Sequence, residues 1–508
     1  MKKNEIKPSK AEFLATTNKT SIPTIYKEIR YNKPALYYEC FRQKNSFLLE
    51  SIKGSTKIAR YSYIGWSPYL IFKVDNSHAK IYTNTGKHFS IVGKTPLSAL
   101  KSIVTSYCQS PAIELTPFQG GAVGFFSYDF VRFFEKIPTK ALDTLRLPKA
   151  HFLMVDKLIA FDHKKRQAWL ICCPEAQNMF NTSNSEIDWR HSYEQAVTVI
   201  NDCQYQIDEF LKYTKEPSIT KSNSSKVEIS YGMSKSAYMD MVKQTLKYIA
   251  AGDIFQANLS QRVAANIENN DPWILYKKLS TINPSPFACY FDFGDYSIVS
   301  SSPERLVRAQ VSNHNGQKIV IADTRPIAGT RPRGKNTLED ERLRSELLIN
   351  DKERAEHIML IDLERNDLGK VSDYGTVTVD ELMITEDYSH VIHIVSNVAG
   401  QLNAKKDCFD LIRAMFPGGT ITGVPKVRCM EIIDELEPVV RGPYTGSAGY
   451  FGFSGNMDTN IIIRTFVIKD ETAYVQAGAG IVADSDPERE YYETLKKAEA
   501  LIKTLREI

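Results

Sequence analysis

The chain has 508 residues, 43% of them hydrophobic and 24% charged, enough to bury a large core or more than one domain. A net charge of +4, with both signs mixed along the chain, excludes the one-signed field of a nucleic-acid or anionic-membrane binder, and no apolar run reaches transmembrane length. The eight cysteines form no CxxC pair and the basic N-terminus lacks an apolar signal core, so the expected setting is a reducing cytoplasm, with no nucleic acid and no membrane among the partners.

Residues 1–25 are polar and read as a frayed end. Short alternating runs at 46–51, 58–65, 69–74 and 80–83 predict strands joined by Gly, Asn and Pro turns. A helix follows over 96–107, and 118–128 predicts a strand whose glycines admit another backbone closely. Two more strands are expected at 151–156 and 167–173, then a helix over 184–214. The Ser-rich stretch 217–226 reads as a linker that divides the chain into regions 1–227 and 228–508. The second region opens with a helix from Ser234, a cap candidate, to Ala251-Gly252. A strand (253–263), a helix from Pro272 to the turn at 283–286, and strands at 288–293, 296–300 and 319–322 come next. A helical region over 337–363, an apolar strand at 390–395, a strand-rich stretch over 447–482 and a helix over 488–506 complete the chain. Strands in runs with helices interspersed predict an α+β fold with antiparallel sheets rather than a βαβ series.

Several stretches carry chemistry. Phe416-Pro-Gly-Gly-Thr-Ile-Thr-Gly-Val-Pro-Lys-Val-Arg428 is a Gly-rich loop emptying into a helix N-terminus, either an anion site or a plain helix-entry turn. Val424-Pro425 stand where a P-loop needs Lys-Ser/Thr, so the expected anion is a carboxylate. Behind a capping-box pattern, Ser485-Asp-Pro-Glu488, residues Glu490, Glu493 and Lys497 share one helical face. Two carboxylates there can hold Mg²⁺, or simply make a solvated Glu–Lys pair. Gly478-Ala-Gly480-Ile-Val-Ala483 fits G-x-G-x-x-A without its βαβ unit, and reads as a backbone wall that a flat ligand can approach. Glu353 and Glu356 stand i,i+3 ahead of an apolar run, and 364–369 reads as a salt-bridge turn. Glu304, closing a strand in Ser-Ser-Ser-Pro-Glu, can be tuned as an acid by burial. The basic loop 325–334 suits carboxylates or an acidic partner. His390 and His393 fall on opposite faces of their strand, so they do not pair; His393 is either a satisfied core residue or a catalyst.

Together, and in this order from Gly120-Gly121 to Glu493, these motifs resemble the chorismate-utilising enzymes, component I of anthranilate synthase or of aminodeoxychorismate synthase, over nearly the whole chain. The resemblance implies an α+β fold with a two-sheet antiparallel β-sandwich core flanked by helices, and an active site in the second region. It implies Mg²⁺ as cofactor, with Glu356 and Glu493 as ligands and Glu353 and Glu490 near the metal's waters. It implies Glu304 as general acid, and His393 and Thr420 as catalytic or substrate-contacting residues. Tyr444, Arg464, Ala477, Gly478, Ala479, Gly480 and Lys497 match the pocket for the substrate carboxylates, and Gly329 and Thr330 the loop over the ring. The implied partners are chorismate and a glutamine amidotransferase subunit that supplies ammonia, since this chain has no Gly-x-Cys-x-Gly nucleophile of its own.

The two products are harder to separate. Ala328 stands where many aminodeoxychorismate synthases carry a ring-attacking lysine, which removes that covalent route. Asn258, Arg305, Asp362-Leu-Glu-Arg-Asn366 and Thr420-Ile-Thr422 look more like the folate branch. Glu50, Ser51, Asn283 and Pro284 resemble the tryptophan feedback pocket of anthranilate synthases, a pattern that folate-branch relatives share. Gln256 stands where isochorismate and salicylate synthases carry a water-activating lysine, which argues against those activities. The expectation is aminodeoxychorismate synthase component I, with anthranilate synthase component I as the alternative and a silent amidotransferase scaffold as the reading from another class.

Overall fold

Strands in this chain are apolar on both faces. In Lys157–Asp162, Leu158 and Ala160 face one core and Ile159 and Phe161 another, and all four are buried. A strand covered on both sides reads as a continuous apolar run without alternation, which is why this one does not stand out between its two expected neighbours. The computed structural model describes residues 5–75, 78–83, 86–181, 186–213, 227–268, 270–314, 317–387 and 391–507. Among them the strands form one 13-stranded and one 12-stranded sheet, antiparallel throughout, and a small two-stranded one.

The inner faces of the two large sheets meet in an aromatic layer, where Phe47, Trp169 and Phe291 of the first meet Phe125, Leu153 and Tyr450 of the second. The outer face of the first packs Ile159, Leu170 and Val299 against Tyr37, Trp273 and Leu501 from helices. The outer face of the second packs Phe126, Phe152 and Phe451 against Leu100, Leu411 and Ile412. The fold is therefore α+β, a two-sheet antiparallel sandwich flanked by helices. Strands from either side of residue 228 pair directly: Ser46–Glu50 with Phe287–Asp292 in one sheet, Gly121–Phe126 with Ser447–Gly452 in the other. The expected linker 217–226 and residues 388–390 lie outside the described residues. No helix among the described residues is long and apolar enough to cross a membrane.

Three local expectations are corrected, and one, the helical region 337–363, is borne out but divided. The N-terminal stretch carries a packed helix: Ser9 and Glu12 form a capping box for Lys10–Thr16, and buried Phe13 packs on Tyr193 at 5.3 Å. The region 337–363 is two helices, Thr337–Ile349 and Asp351–Gly369, split at Asn350, whose side chain caps the second by accepting from the Glu353 amide at 3.0 Å. That second helix runs on through 364–369, so these residues are not a turn; Glu364, Asp367 and Leu368 extend its buried face. Most of the basic loop 325–334 is strand Ile327–Pro332, paired to Val391–Gln401 with a bulge at Gly329. Its arginines hold the chain's own carboxylates: Arg325 those of Glu381 and Glu386, Arg331 those of Glu346 and Glu353, Arg333 that of Asp340.

Gly124 sits mid-strand between two partners, where a Cβ would overlap the carbonyl oxygen of His151. Gly124→Ala should lower the apparent unfolding free energy by about 1–3 kcal/mol in urea denaturation. Gly369→Ala, with open space around it, should be neutral in the same assay.

Candidate active site

The site is built on a glycine wall. Strands Gln256–Asn266 and Thr472–Ile481 pair from Ala257–Ile481 to Asn266–Thr472. Period two puts Gln256, Asn258, Gly478 and Gly480 on one face. A Cβ at Gly478 would lie 2.5 Å from Asn258 Oδ1 and 2.8 Å from the Tyr444 hydroxyl, and one at Gly480 would lie 2.5 Å from Gln256 Nε2. Only glycine fits beneath these polar groups. The buried acceptors Gln256 Oε1 and Asn258 Oδ1 have no hydrogen-bond partner among the described residues, which is the state of groups facing a polar ligand. Ala479 turns the other way, into a core with Tyr238 and Val242, and Ala477 packs on a different core cluster. Of the stretch 477–480, the glycines thus face the cavity through the missing side chain, and the alanines can offer it only their backbone.

Carboxylates from two helices face this wall. Glu353 and Glu356 lie on Asp351–Gly369, and Glu490 and Glu493 on Pro487–Arg506. Burial raises the pKa of Glu356, and the charges of Glu353 and Glu493 raise it further, so the acids of the two helices feel one another. Glu490 is raised by burial first and by Glu493 second among the raising causes. The cap of the second helix is Asp486 rather than Ser485: Asp486 accepts from the Glu488 and Arg489 amides, while the Ser485 hydroxyl donates to Glu490 Oε1 at 2.6 Å. Gln256 Nε2 donates to Glu356 Oε1 at 3.4 Å. Lys497 lies 2.8 Å from Glu493, Arg331 3.1 Å from Glu353, and Lys352 2.9 Å from Asp484. Among the described residues no three His, Cys, Asp or Glu side chains form a ready-made metal cage. Mg²⁺ does not need one, because it keeps waters and takes one or two carboxylates plus substrate oxygens. The donors are hard oxygens, and a dication relieves their repulsion, so the residues fit that ion.

Glu304 closes strand Tyr296–Ser302 from inside. Burial pushes its carboxyl up to about 7, against the pull of a Thr420 hydroxyl that donates to Oε1 at 3.0 Å and of the Arg464 and Lys497 charges. His393 Nδ1 lies 3.0 Å from both the Gly329 carbonyl and the Thr330 hydroxyl. A carbonyl only accepts, so Nδ1 carries the proton and Nε2 bears a lone pair. Burial pushes His393 down to about 4, with Arg464 and Lys497 adding to the effect against the Gly329 hydrogen bond, so the ring is neutral at pH 7. Tyr444 is buried, its ring under the Arg441 guanidinium at 5.6 Å.

The cations of the loop 416–428 are taken up by the chain's own carboxylates. Lys426 pairs with Asp367, Arg428 pairs with Glu431 and Asp253, and helix Lys426–Leu436 has no side-chain cap bond. Its part is the short turn Gly419–Ile421, which aims Thr420 at Glu304, and Gly423–Val424, which pairs with Gln256 and Ala257. Elsewhere Glu50 and Ser51, at the end of Ser46–Glu50, meet the turn carrying Asn283 and Pro284: the Ser51 hydroxyl donates to the Pro286 carbonyl at 3.0 Å, and the Ile52 amide to the Ser285 carbonyl at 3.0 Å. Glu50 accepts from the Tyr276 hydroxyl at 2.6 Å, and Asn283 Nδ2 donates to Ser301 at 3.3 Å.

A family model described as chorismate binding enzyme matches residues 44–503. The chain belongs to that family. Anthranilate synthase component 1 of Acetivibrio thermocellus is 44% identical over 463 residues, covering 91% of this chain and 90% of that one. Aminodeoxychorismate synthase component 1 of Bacillus subtilis (strain 168) is 41% identical over 467 residues, covering 91% of this chain and 92% of that one. Among solved structures, anthranilate synthase component I from Streptococcus pneumoniae TIGR4 superposes with a TM-score of 0.73 at 34% identity, over 88% of this chain and 94% of that one.

Within this chorismate-binding fold, three structural roles escape the sequence reading. Ser485 orients Glu490 instead of capping, Arg331 reaches Glu353 from the neighbouring strand, and Glu364 is buried within the helix beside the Gly419 turn. Only Arg331 left a trace, as one cation of a loop expected to bind carboxylates. Thr420→Val removes a donor to the Glu304 carboxylate, so the carboxyl should titrate roughly one pH unit higher, read from its infrared C=O stretch. An unchanged titration would mean that the Thr420 bond does not hold the acid.

Proposed function

We propose that this chorismate binding enzyme is component I of an aminodeoxychorismate synthase. It would aminate chorismate with ammonia supplied by a glutamine amidotransferase subunit, in the cytoplasm, using Mg²⁺. The observation that carries amination is Glu304: a buried acid raised to about 7, oriented by Thr420, beside a glycine wall and two helices of carboxylates. Chorismate carries two carboxylates. Arg464 and Lys497 are placed to balance one of them, and both already act on Glu304 and His393 through space. Glu356 and Glu493 would hold Mg²⁺, with Glu353 and Glu490 on its waters; the ion, when bound, supplies charge neutralisation at a substrate carboxylate. Protonated Glu304 gives its proton to the 4-hydroxyl, which leaves as water while ammonia adds to the ring; the extra proton on the new amine returns to the Glu304 carboxylate. Gly329, Thr330 and neutral His393 form the cover on the other side of the ring, and Tyr444 with Gly478 and Gly480 the floor.

Asn258, Arg305 and the stretch Asp362-Leu-Glu-Arg-Asn366 support the folate-branch product, because all three look like that branch. Arg305 follows Glu304 directly and is buried in a two-bond pair with Asp458, at 2.8 and 3.0 Å. The relative from B. subtilis bears the folate-branch name. The anthranilate reading is favoured by the junction of Glu50 and Ser51 with Asn283 and Pro284, and by the relative from A. thermocellus. The six buried thiols, none of them in a disulfide, suit a reducing cytoplasm.

Purified chain incubated with chorismate, Mg²⁺ and ammonium should yield an amino adduct that retains the enolpyruvyl group, seen by mass spectrometry. Anthranilate with free pyruvate would replace the folate assignment by the anthranilate one, and no turnover would leave the scaffold. Glu304→Gln should lower kcat by about 10²–10⁴-fold. At fixed free ammonia, wild-type kcat should fall as pH rises through about 7, because the acid form of Glu304 is the working one. That limb should vanish in Glu304→Gln.

A further inference from the structure

One guanidinium joins three parts of the site. Arg441 follows helix Lys426–Leu436 and is 4% exposed. Its Nε donates to Glu437 Oε2 at 3.0 Å and its Nη2 to Glu437 Oε1 at 2.7 Å, a buried two-bond pair. Nη2 also donates to the Asn258 carbonyl at 2.6 Å. Nη1 donates to the Ile421 carbonyl at 2.9 Å and to the Thr445 hydroxyl at 3.3 Å. These bonds occupy every N–H of the guanidinium, so it has none left for a substrate carboxylate.

Each anchored segment carries a group of the cavity. Asn258 turns its buried Oδ1 toward the glycine wall. Ile421 directly follows Thr420, whose hydroxyl donates to Glu304 at 3.0 Å. Thr445 directly follows Tyr444, and its hydroxyl donates to the Tyr444 carbonyl at 2.6 Å. Its φ of +58° is one that a β-branched residue rarely adopts, so the surroundings must hold it there. Glu437 ties the same hub to the wall strand a second time, accepting from the Ser260 amide and hydroxyl at 2.8 Å each.

We propose that Arg441 is a positioning residue: one buried guanidinium sets the wall strand at Asn258, the Gly419–Ile421 turn that aims Thr420 at Glu304, and the segment of Tyr444 in register with one another. Lysine cannot replace it, because three donors on one nitrogen do not reproduce a planar fork that reaches two carbonyls, a hydroxyl and a carboxylate. The charges acting on Glu304 through space are those of Arg464 and Lys497. A change at Arg441 therefore reaches Glu304 through the turn.

The part in turnover rests on the proposed amination, so the deciding readout needs no turnover. The infrared C=O band of Glu304, assigned as the one lost in Glu304→Gln, is titrated in the free chain. In Arg441→Lys it should titrate about half a pH unit higher, because a loosened turn weakens the Thr420 bond. Adding Arg441→Lys to Thr420→Val should bring no further rise, since both changes act on that one bond. Phe13→Leu, which loosens the packing of the N-terminal helix on Tyr193, should leave the band at its wild-type titration. An unmoved band in Arg441→Lys, additive shifts in the double variant, or an equal rise in Phe13→Leu would each overturn the proposal. Arg441→Met combined with Glu437→Gln removes both buried charges and keeps an acceptor for the Ser260 amide. Should Arg441→Lys fail to fold, this pair decides, with the same rise expected and an unmoved band overturning the role. With chorismate, Mg²⁺ and ammonium, Arg441→Lys should also lose about tenfold in kcat. A wild type inactive on chorismate would sink the amination reading, while the infrared cycle would still decide the role of Arg441.

Discussion

Like charges are gathered here against their own repulsion. Burial and the charge of Glu493 raise the proton affinity of Glu356 and of Glu490, on two helices far apart in the chain, and Glu353 adds to the effect at Glu356. Only a rigid frame keeps such groups together. Here it consists of a sheet strand that donates Gln256 to Glu356, a serine that fixes Glu490, and cations Lys497 and Arg331 that offset part of the charge. What remains is a demand for positive charge at one spot, and that demand gives the cavity its chemistry.

The sandwich exists in a form that meets this constraint. Strands from both regions interleave in both sheets, so the three largest cores are shared between the regions. Helix Asp351–Gly369 lies against strands Ile327–Pro332 and Val391–Gln401, which carry Thr330 and His393. Helix Pro487–Arg506 lies against Thr472–Ile481, which carries the glycines. Each carboxylate helix thus rests on the strand that supplies the opposite wall of the cavity. Glu304 and Thr420 join at the back, where water is excluded and a carboxyl can keep its proton near neutral pH.

Much of this was legible in the sequence. Helical spacing placed Glu353 with Glu356, and Glu490 with Glu493 and Lys497, and the Gly-x-Gly pattern marked a backbone wall. Fold class followed from the order of strand and helix signals. What stayed hidden was hidden for physical reasons. Lys157–Asp162 has no polar face because both its faces are buried. Glu364 sits in a charged string that local chemistry assigns to a solvated turn, and only tertiary packing against Gly419 takes it inside. The partner that takes up Lys426, Asp367, is distant in sequence, so nothing in the loop 416–428 itself announces that pair. The direction of the Ala479 side chain, away from the face of its neighbouring glycines, is tertiary information that the linear motif does not carry.

The central claim is that Glu356 and Glu493 together hold a divalent cation. Isothermal titration of the chain with Mg²⁺ in the presence of chorismate tests it directly. The account predicts one saturable site in the wild type, weakened at least about tenfold in Glu356→Gln and in Glu493→Gln while both variants keep the wild-type circular dichroism. Wild-type Mg²⁺ affinity in both folded variants would contradict it.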